Sequence, residues 1–149
     1  MTDRRSILTA LALLPLWPRM ALARVPEIFA PGGIALGGTD VVAYAQGGGP
    51  VVGDSRFALM WRGAVWHFAN AATMEAFEMN PARYCPAYGG HCARALAKGE
   101  VLPTLREAFE QHDGRLFLFS TQAARAEWLA QPAAIIAQAD TNWPGMLRG

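Results

Sequence analysis

The segment Tyr84–Ala93, YCPAYGGHCA, holds the most reactive side chains of the chain. It contains both cysteines, Cys85 and Cys92, and His91 directly precedes the second one. Thiolate and imidazole groups suit Cu(I) or Zn(II), and three such ligands leave a position for water, substrate or a donor protein. The residue types therefore predict a metal site of Cys92, with Cys85 and His91 as co-ligands.

The spacing of the same cysteines leaves alternatives open. Their separation exceeds the two to four residues of zinc fingers, and neighbouring helical side chains diverge by about 100°. A Cys85–Cys92 disulfide would stabilise the fold by roughly 2–3 kcal/mol in the chain-entropy model. Alternatively, Cys92 is a small buried residue of its helix and Cys85 a spectator. In an oxidising compartment the disulfide ranks first, the metal site second and inert thiols third. A thiol-redox pair that cycles between Cys85 and Cys92 is a further alternative.

Other soft ligands lie elsewhere in the chain. His67 stands between two aromatic residues on a predicted strand, which indicates a half-exposed strand residue, or a further ligand if the fold brings it to Cys92. His112 precedes a predicted turn and indicates a solvated side chain. Thioether ligands for Cu(I) could come from Met60, Met74 and Met79, of which Met74 has the spacing of a core residue.

Signals for catalysis are few. Ser55 and Ser120 have no histidine or carboxylate partner at a recognisable spacing, and the acidic residues are scattered. A nucleophile made from Cys92 and a histidine would need an electropositive pocket, which the sequence does not indicate. The sequence favours a protein without catalysis of its own.

The N-terminus, MTDRRSILTALALLPLWPRMALAR, has the pattern of an export signal. Arg4 and Arg5 precede a short apolar run, and Ala21–Ala23 supplies the small residues that a signal peptidase recognises. The run is too short to span a bilayer, which takes about 20 residues. We expect a cleaved signal peptide over residues 1–23. Its two arginines also match a twin-arginine signal, although Sec signals can begin in the same way.

The composition of the chain limits the size and the function classes of the mature protein. The chain has 149 residues, of which 52% are hydrophobic and 17% charged, enough for one core. The mature part is nearly balanced in charge and has no block of like charges, which argues against nucleic-acid binding. We expect a soluble periplasmic protein without a stable membrane anchor, whose partner is a metal ion or another protein.

Periodicity predicts a small α+β domain of two β-hairpins packed against short helices, over residues 34–149 after a lead-in segment at residues 24–33. The hairpins turn at Arg62–Gly63 and Asp113–Gly114. Asn70 is expected to cap the helix after the first hairpin and Ser120 the helix after the second. Further predicted elements are a strand or helical turn at Val41–Tyr44, a helix at His91–Lys98 and two helices divided by Pro132. No internal repeat is evident.

The segments GGTDVVAY, WHFANAATMEAFEMNPARYCPAYGGHCA, HDGRLFLF and EWLAQPAAIIAQADTNWP resemble, in this order, the landmarks of exported bacterial YHS-domain proteins. The resemblance runs from about Ile34 to Trp143. It implies a small α+β module related to the heavy-metal-associated TRASH domains, and hence metal-linked binding, of copper or another soft or borderline metal, rather than a defined reaction.

The chain departs from this resemblance at the metal ligands. Metal-type members carry three cysteines where this chain has Ala43, Ala69 and Thr73. Methyl groups cannot bind a metal, and a hydroxyl is a poor ligand for a soft one. A metal would therefore have to use other residues, such as those of the Tyr84–Ala93 segment.

A hypothesis of another class is a structural or protein-interaction domain. In it the disulfide Cys85–Cys92 stabilises the fold and four aromatic residues line an apolar groove. These are Trp61, Trp66, Tyr84 and Tyr88.

Overall fold

The computed structural model describes residues 24–148. The expected signal peptide, with Arg4 and Arg5, lies outside the described residues and stays a prediction. Within residues 24–148 the chain forms an α+β domain with two antiparallel hairpins packed against helices, and this confirms the predicted fold class. In this part of the chain no helix combines the length and hydropathy needed to cross a membrane.

The first half of the domain begins with a glycine-rich turn at Ala35–Gly38. Its regular elements are α1 (Val41–Ala45), β1 (Asp54–Trp61), β2 (Ala64–Phe68), α2 (Ala71–Met79) and α3 (Pro81–Tyr84). Val41–Tyr44, predicted as a strand or a helical turn, is thus helical. The Asp40 carboxylate caps α1 by accepting a hydrogen bond from Val42 N at 2.9 Å.

The second half begins with a similar turn at Ala87–Gly90. Its elements are α4 (Ala93–Ala97), β3 (Leu105–His112), β4 (Arg115–Phe119), α5 (Gln122–Ala130) and α6 (Pro132–Arg148). The helix predicted at His91–Lys98 is shorter than expected because Gly90 has a positive φ and His91 is extended. Pro132 divides α5 from α6, as predicted.

The two halves repeat one motif, and the expectation of no internal repeat is wrong. Leu36 and Tyr88 have φ angles of 52° and 57°, and the following Gly37 and Gly89 have 61° and 60°. Each half then has a short helix, an irregular hairpin, a helix, and a proline that begins the next helix. We call residues 35–84 repeat 1 and residues 87–148 repeat 2.

Turn chemistry explains both hairpins. The two-residue turns need positive φ at both positions, and Arg62–Gly63 and Asp113–Gly114 have it. Both turns lie where the sequence predicts them. The cap of α2 is also confirmed, because Asn70 Oδ1 accepts from Thr73 N at 3.0 Å.

The predicted cap of α5 is wrong by one residue. Thr121 Oγ1, and not Ser120, accepts from Ala124 N at 3.0 Å. Ser120 directly follows β4, and its hydroxyl lies 3.5 Å from Cys92 Sγ. It is therefore held at the hairpin side of the helix and Thr121 takes the cap position.

Each repeat buries aromatic residues at matching places. In repeat 1, Trp66 and Phe77 pack with ring centroids 4.9 Å apart, and in repeat 2, Phe117 and Trp128 pack at 5.2 Å. Trp66 and Tyr88 are only 1% and 5% exposed. The apolar groove that was expected to include both residues therefore does not form with them.

The lead-in segment packs against the start of repeat 2. Phe29 N donates to Gly89 O at 2.9 Å, and Ile28 is buried. A β-carbon at Gly89 would lie 1.7 Å from Glu27 O, so only glycine lets the two backbones approach this closely. The turn that begins repeat 2 is thus held by the lead-in segment.

The repeats differ most in their last helix. α3 has four residues and α6 has seventeen. α3 ends where Cys85 leaves helical geometry before Pro86, the residue that leads into repeat 2. α6 continues through Pro144 and covers α4, with Asn142 Nδ2 donating to Leu96 O at 2.8 Å.

Candidate functional site

Cys85 lies at the end of α3, partly buried against the aromatic core of repeat 1. Its Sγ faces the carbonyl oxygen of Pro86 at 3.6 Å. Burial raises the pKa of this thiol to about 11. A neutral thiol is a weak nucleophile, so Cys85 is not activated for attack in the metal-free protein.

Cys92 is fully buried in the core of repeat 2. It occupies the position just before α4, and its Sγ faces Ser120 Oγ at 3.5 Å. Both cysteines are free thiols and belong to different core clusters. The structure thus places the two sulfurs with separate partners, without the disulfide that ranked first among the sequence alternatives.

His91 is 4% exposed. Its Nε2 lies 2.8 Å from the carbonyl oxygen of Pro26, which can only accept, so Nε2 carries the proton. The pKa of His91 is lowered by burial. Nδ1 therefore keeps its lone pair, and it is buried without a hydrogen-bond partner in the described part of the chain.

These three side chains do not converge. Within residues 24–148, no three His, Cys, Asp or Glu side chains are grouped closely enough to hold a metal ion. His67, the further candidate, is half-buried on β2, where its Nδ1 faces Gly38. The described residues thus do not form the three-ligand site that the Tyr84–Ala93 segment predicts, and they leave one free imidazole nitrogen.

The arrangement is also unsuited to thiol-redox cycling. A reactive cysteine pair needs an accessible thiolate beside its partner thiol. Cys92 is inaccessible, and the raised pKa of Cys85 keeps that thiol protonated. The thiol-redox alternative stays a prediction, which labelling of the two thiols can test.

A cleft between the two repeats has a volume of about 400 Å³. Small-molecule sites are typically about 300–1,000 Å³. The cleft is lined by Val41, Tyr44, Ala45, Gly47, Arg83, Tyr84, Gln111, Gly114 and Leu116. We call it the inter-repeat cleft.

Helix α1, helix α3 and the β3–β4 hairpin position the polar groups of the cleft. Tyr44 is fixed, because its hydroxyl donates to Arg106 O at 2.8 Å and its ring packs against Phe109. Burial raises the pKa of Tyr44, so its hydroxyl stays protonated. Arg83 lies over the Tyr84 ring, with its guanidinium carbon 5.5 Å from the ring centroid.

The cleft exists because α3 is short. In repeat 2, α6 runs over α4, and Asn142 caps the carbonyl groups of Leu96 and Ala97. The equivalent residues of repeat 1 are Tyr44 and Ala45, and both border the inter-repeat cleft. Repeat 2 thus covers its first helix, α4, with α6, whereas repeat 1 leaves the equivalent face of α1 open.

Sequence reasoning did not find Arg83 or Gln111 and gave Tyr84 a different role. The signal that could have found the cleft is the pair of short matches ALGG and AYGG, with a proline after the second helix of each half. These matches reveal the duplication, and the different lengths of chain after Pro81 and Pro132 reveal the uncovered face.

Comparisons with known proteins add no family. No protein-family model matches the chain, no curated protein is significantly similar to it, and no solved structure matches its fold. The resemblance to exported YHS-domain proteins stays a prediction from the residues quoted above.

Proposed function

We propose that the chain is an exported YHS-like binding module that performs no chemistry itself and binds a small molecule in the inter-repeat cleft. One observation carries this proposal: the cleft combines ligand-sized volume with fixed aromatic walls and free polar groups. The Cys85, His91 and Cys92 side chains, by contrast, point to separate partners.

The cleft has the composition of a binding site. Val41 and Leu116 are buried and give it an apolar floor, while Arg83 and Gln111 are exposed at its rim. Binding sites of small molecules combine mostly apolar walls with a few polar groups that orient the ligand. The described lining holds no histidine, carboxylate, serine or cysteine, which are common catalytic bases and nucleophiles.

Probes of one size and three charges test the proposal. We expect at least one of benzoate, benzamide and benzylamine to shift the amide signals of Gly47, Tyr84 and Gly114 in ¹H–¹⁵N spectra of residues 24–149. Ala45→Trp should remove these shifts by filling the cleft from an exposed position. Ala72→Trp, on the exposed face of α2, is the matched control.

Two results would overturn the proposal. The first is that none of the three probes shifts the cleft amides of a folded sample. The second is that the same shifts persist in Ala45→Trp, because the probes would then bind elsewhere.

A second candidate function is metal binding at His91, in line with the YHS resemblance. The observation in its favour is the buried Nδ1, whose lone pair is free because Nε2–H donates to Pro26 O. Hydrogen bonding of the second nitrogen is typical of metal-binding histidines. Cys92 would join such a site only if its side chain left Ser120.

Native mass spectrometry after adding Cu(I) or Zn(II) tests this candidate. We expect one bound ion per chain, lost in His91→Gln and in Cys92→Ser but retained in the control His112→Gln. Unchanged retention in both of the first two variants would exclude the site.

A further inference from the structure

We infer that the ligand of the inter-repeat cleft is a small organic anion with a planar apolar body, of the monocarboxylate class. This inference rests on the proposed function, because it names the chemistry of the ligand that the cleft would bind. Three properties of the lining lead to it: its charge, its walls and its free hydrogen-bond donors.

The charge of the cleft is positive. Among its lining residues within the described chain, Arg83 is the only charged one. Arg83 forms no ion pair within residues 24–148, unlike Arg56, Arg62, Arg94, Arg115 and Arg125, which all do. A guanidinium presents a planar set of donors that matches both oxygens of a carboxylate.

The carboxylates of the β3–β4 hairpin leave Arg83 without an ion pair in the described chain. The charge of Glu107 reaches the lining residue Tyr44, where burial has the largest effect on the pKa and Arg106 acts with the opposite sign. Asp113 precedes the lining residue Gly114, but its side chain is 90% exposed and faces His112 at 3.4 Å. Glu110 of β3 is paired with Arg125 on the α5 side. The C-terminal end of α1 adds little negative potential to the cleft. This helix has only five residues, and its Tyr44 carbonyl already accepts a hydrogen bond from Gly47 N.

The walls favour a flat apolar body. The rings of Tyr44 and Tyr84 border the cleft, and Val41 and Leu116 are buried beneath it. Tyr44 cannot turn away without breaking its hydrogen bond to Arg106 O. Aromatic rings stack on planar groups with a preferred offset geometry, so these two rings favour a planar ligand.

The remaining donors suit the oxygens of the same ligand. Within the described residues, neither the Tyr84 hydroxyl nor the Gln111 carboxamide has a hydrogen-bond partner in the protein. Both can donate to an anion without giving up an internal bond. Arg83, Tyr84 and Gln111 thus form a set of donors facing one cleft from two elements.

The affinities of benzoate and benzamide, measured by titration calorimetry, test the inference. The two probes share their shape and differ in charge. We expect benzoate to bind about tenfold more tightly than benzamide, and added salt to weaken benzoate alone. Arg83→Gln should reduce the affinity for benzoate to that for benzamide, and Arg83→Lys should give an intermediate value because it keeps the charge without the planar donors.

The matched control is Arg56→Gln, which removes an arginine that is exposed on β1 and paired with Asp54. It should leave both affinities unchanged. If benzamide or benzylamine binds best, or if Arg83→Gln leaves benzoate binding unaltered, the inference is overturned while the proposed function stands. If none of the three probes reaches the cleft, both fall.

Discussion

Asp40 and Cys92 occupy equivalent positions in the two repeats, and both are fully buried. Asp40 N donates to Val51 O at 2.8 Å, and Cys92 N donates to Leu102 O at 3.4 Å. Each residue directly precedes the first helix of its repeat. The same backbone position thus holds a hydrogen-bonding carboxylate in one repeat and a packed thiol in the other.

Because the two equivalent side chains make different contacts, truncating them to alanine should lower the free energy of unfolding by different amounts. The Asp40 carboxylate accepts from Val42 N and from Ala69 N, whereas the packed Cys92 thiol has one side-chain hydrogen-bond contact in the described chain, with Ser120. Asp40→Ala would leave two amides without their acceptor and should lower the free energy of unfolding by about 3 kcal/mol or more. Cys92→Ala should lower it by about 1–2 kcal/mol. Urea unfolding of both variants measures the difference, and equal losses would contradict the assigned roles.

A pair of glycines tests the contact between the lead-in segment and repeat 2. Gly37 and Gly89 have the same positive φ, but only Gly89 faces another backbone, that of Glu27. Gly37→Ala should cost about 1–2 kcal/mol from the left-handed conformation alone. Gly89→Ala should cost at least about 2 kcal/mol more, because the lead-in segment has to move away.

Thermal or urea unfolding of the two glycine variants gives the comparison directly. A similar loss in both would mean that the lead-in segment does not pack closely on Gly89.

Burial of His91 predicts a pH dependence of stability. Its folded pKa lies below the ordinary value, so the unfolded chain binds the proton more readily. The stabilisation is complete above about pH 6.5 and is lost as the pH falls from there through the folded pKa, by at most about 1.4 kcal/mol per pH unit. We expect the His91→Gln variant to lack this part of the slope.

Urea unfolding of both proteins between pH 7.5 and pH 5, as a rough window around the His value, isolates the effect. The other titrating groups contribute equally to both, so parallel curves would argue against a buried neutral His91.

The cysteines predict a thiol count. Because Cys92 is buried and the Cys85 thiol has a raised pKa, neither should react quickly with a thiol reagent in the folded protein near pH 8. After unfolding in denaturant without reductant, both should be labelled. An intact mass without any label would instead establish the disulfide alternative.

Local chemistry made much of the fold predictable. Arg62–Gly63 and Asp113–Gly114 are hairpin turns by composition, and Asn70 is a helix cap by type and place. The cap of α5 differs because two adjacent hydroxyl residues could both serve, and packing of Ser120 against Cys92 selects Thr121. Local sequence does not contain that contact.

The duplication and the cleft were harder to foresee. The repeats share mainly glycine and alanine at their turns, while the core aromatic residues differ, as with Phe77 and Trp128. The His91 ring likewise has its hydrogen-bond partner in Pro26, which is far away in the chain. Spacing within YCPAYGGHCA cannot report a contact made from outside it.

The hydrogen bond between His91 and Pro26 also sets an order of events during synthesis. The two residues are 65 positions apart, so Pro26 has no partner until that much more chain has been made. At about 5–20 residues per second, the interval is roughly 3–13 seconds. For that time the lead-in segment can pack only on repeat 1, where Glu27 pairs with Arg62, and the Pro26 carbonyl is open to other hydrogen-bond donors.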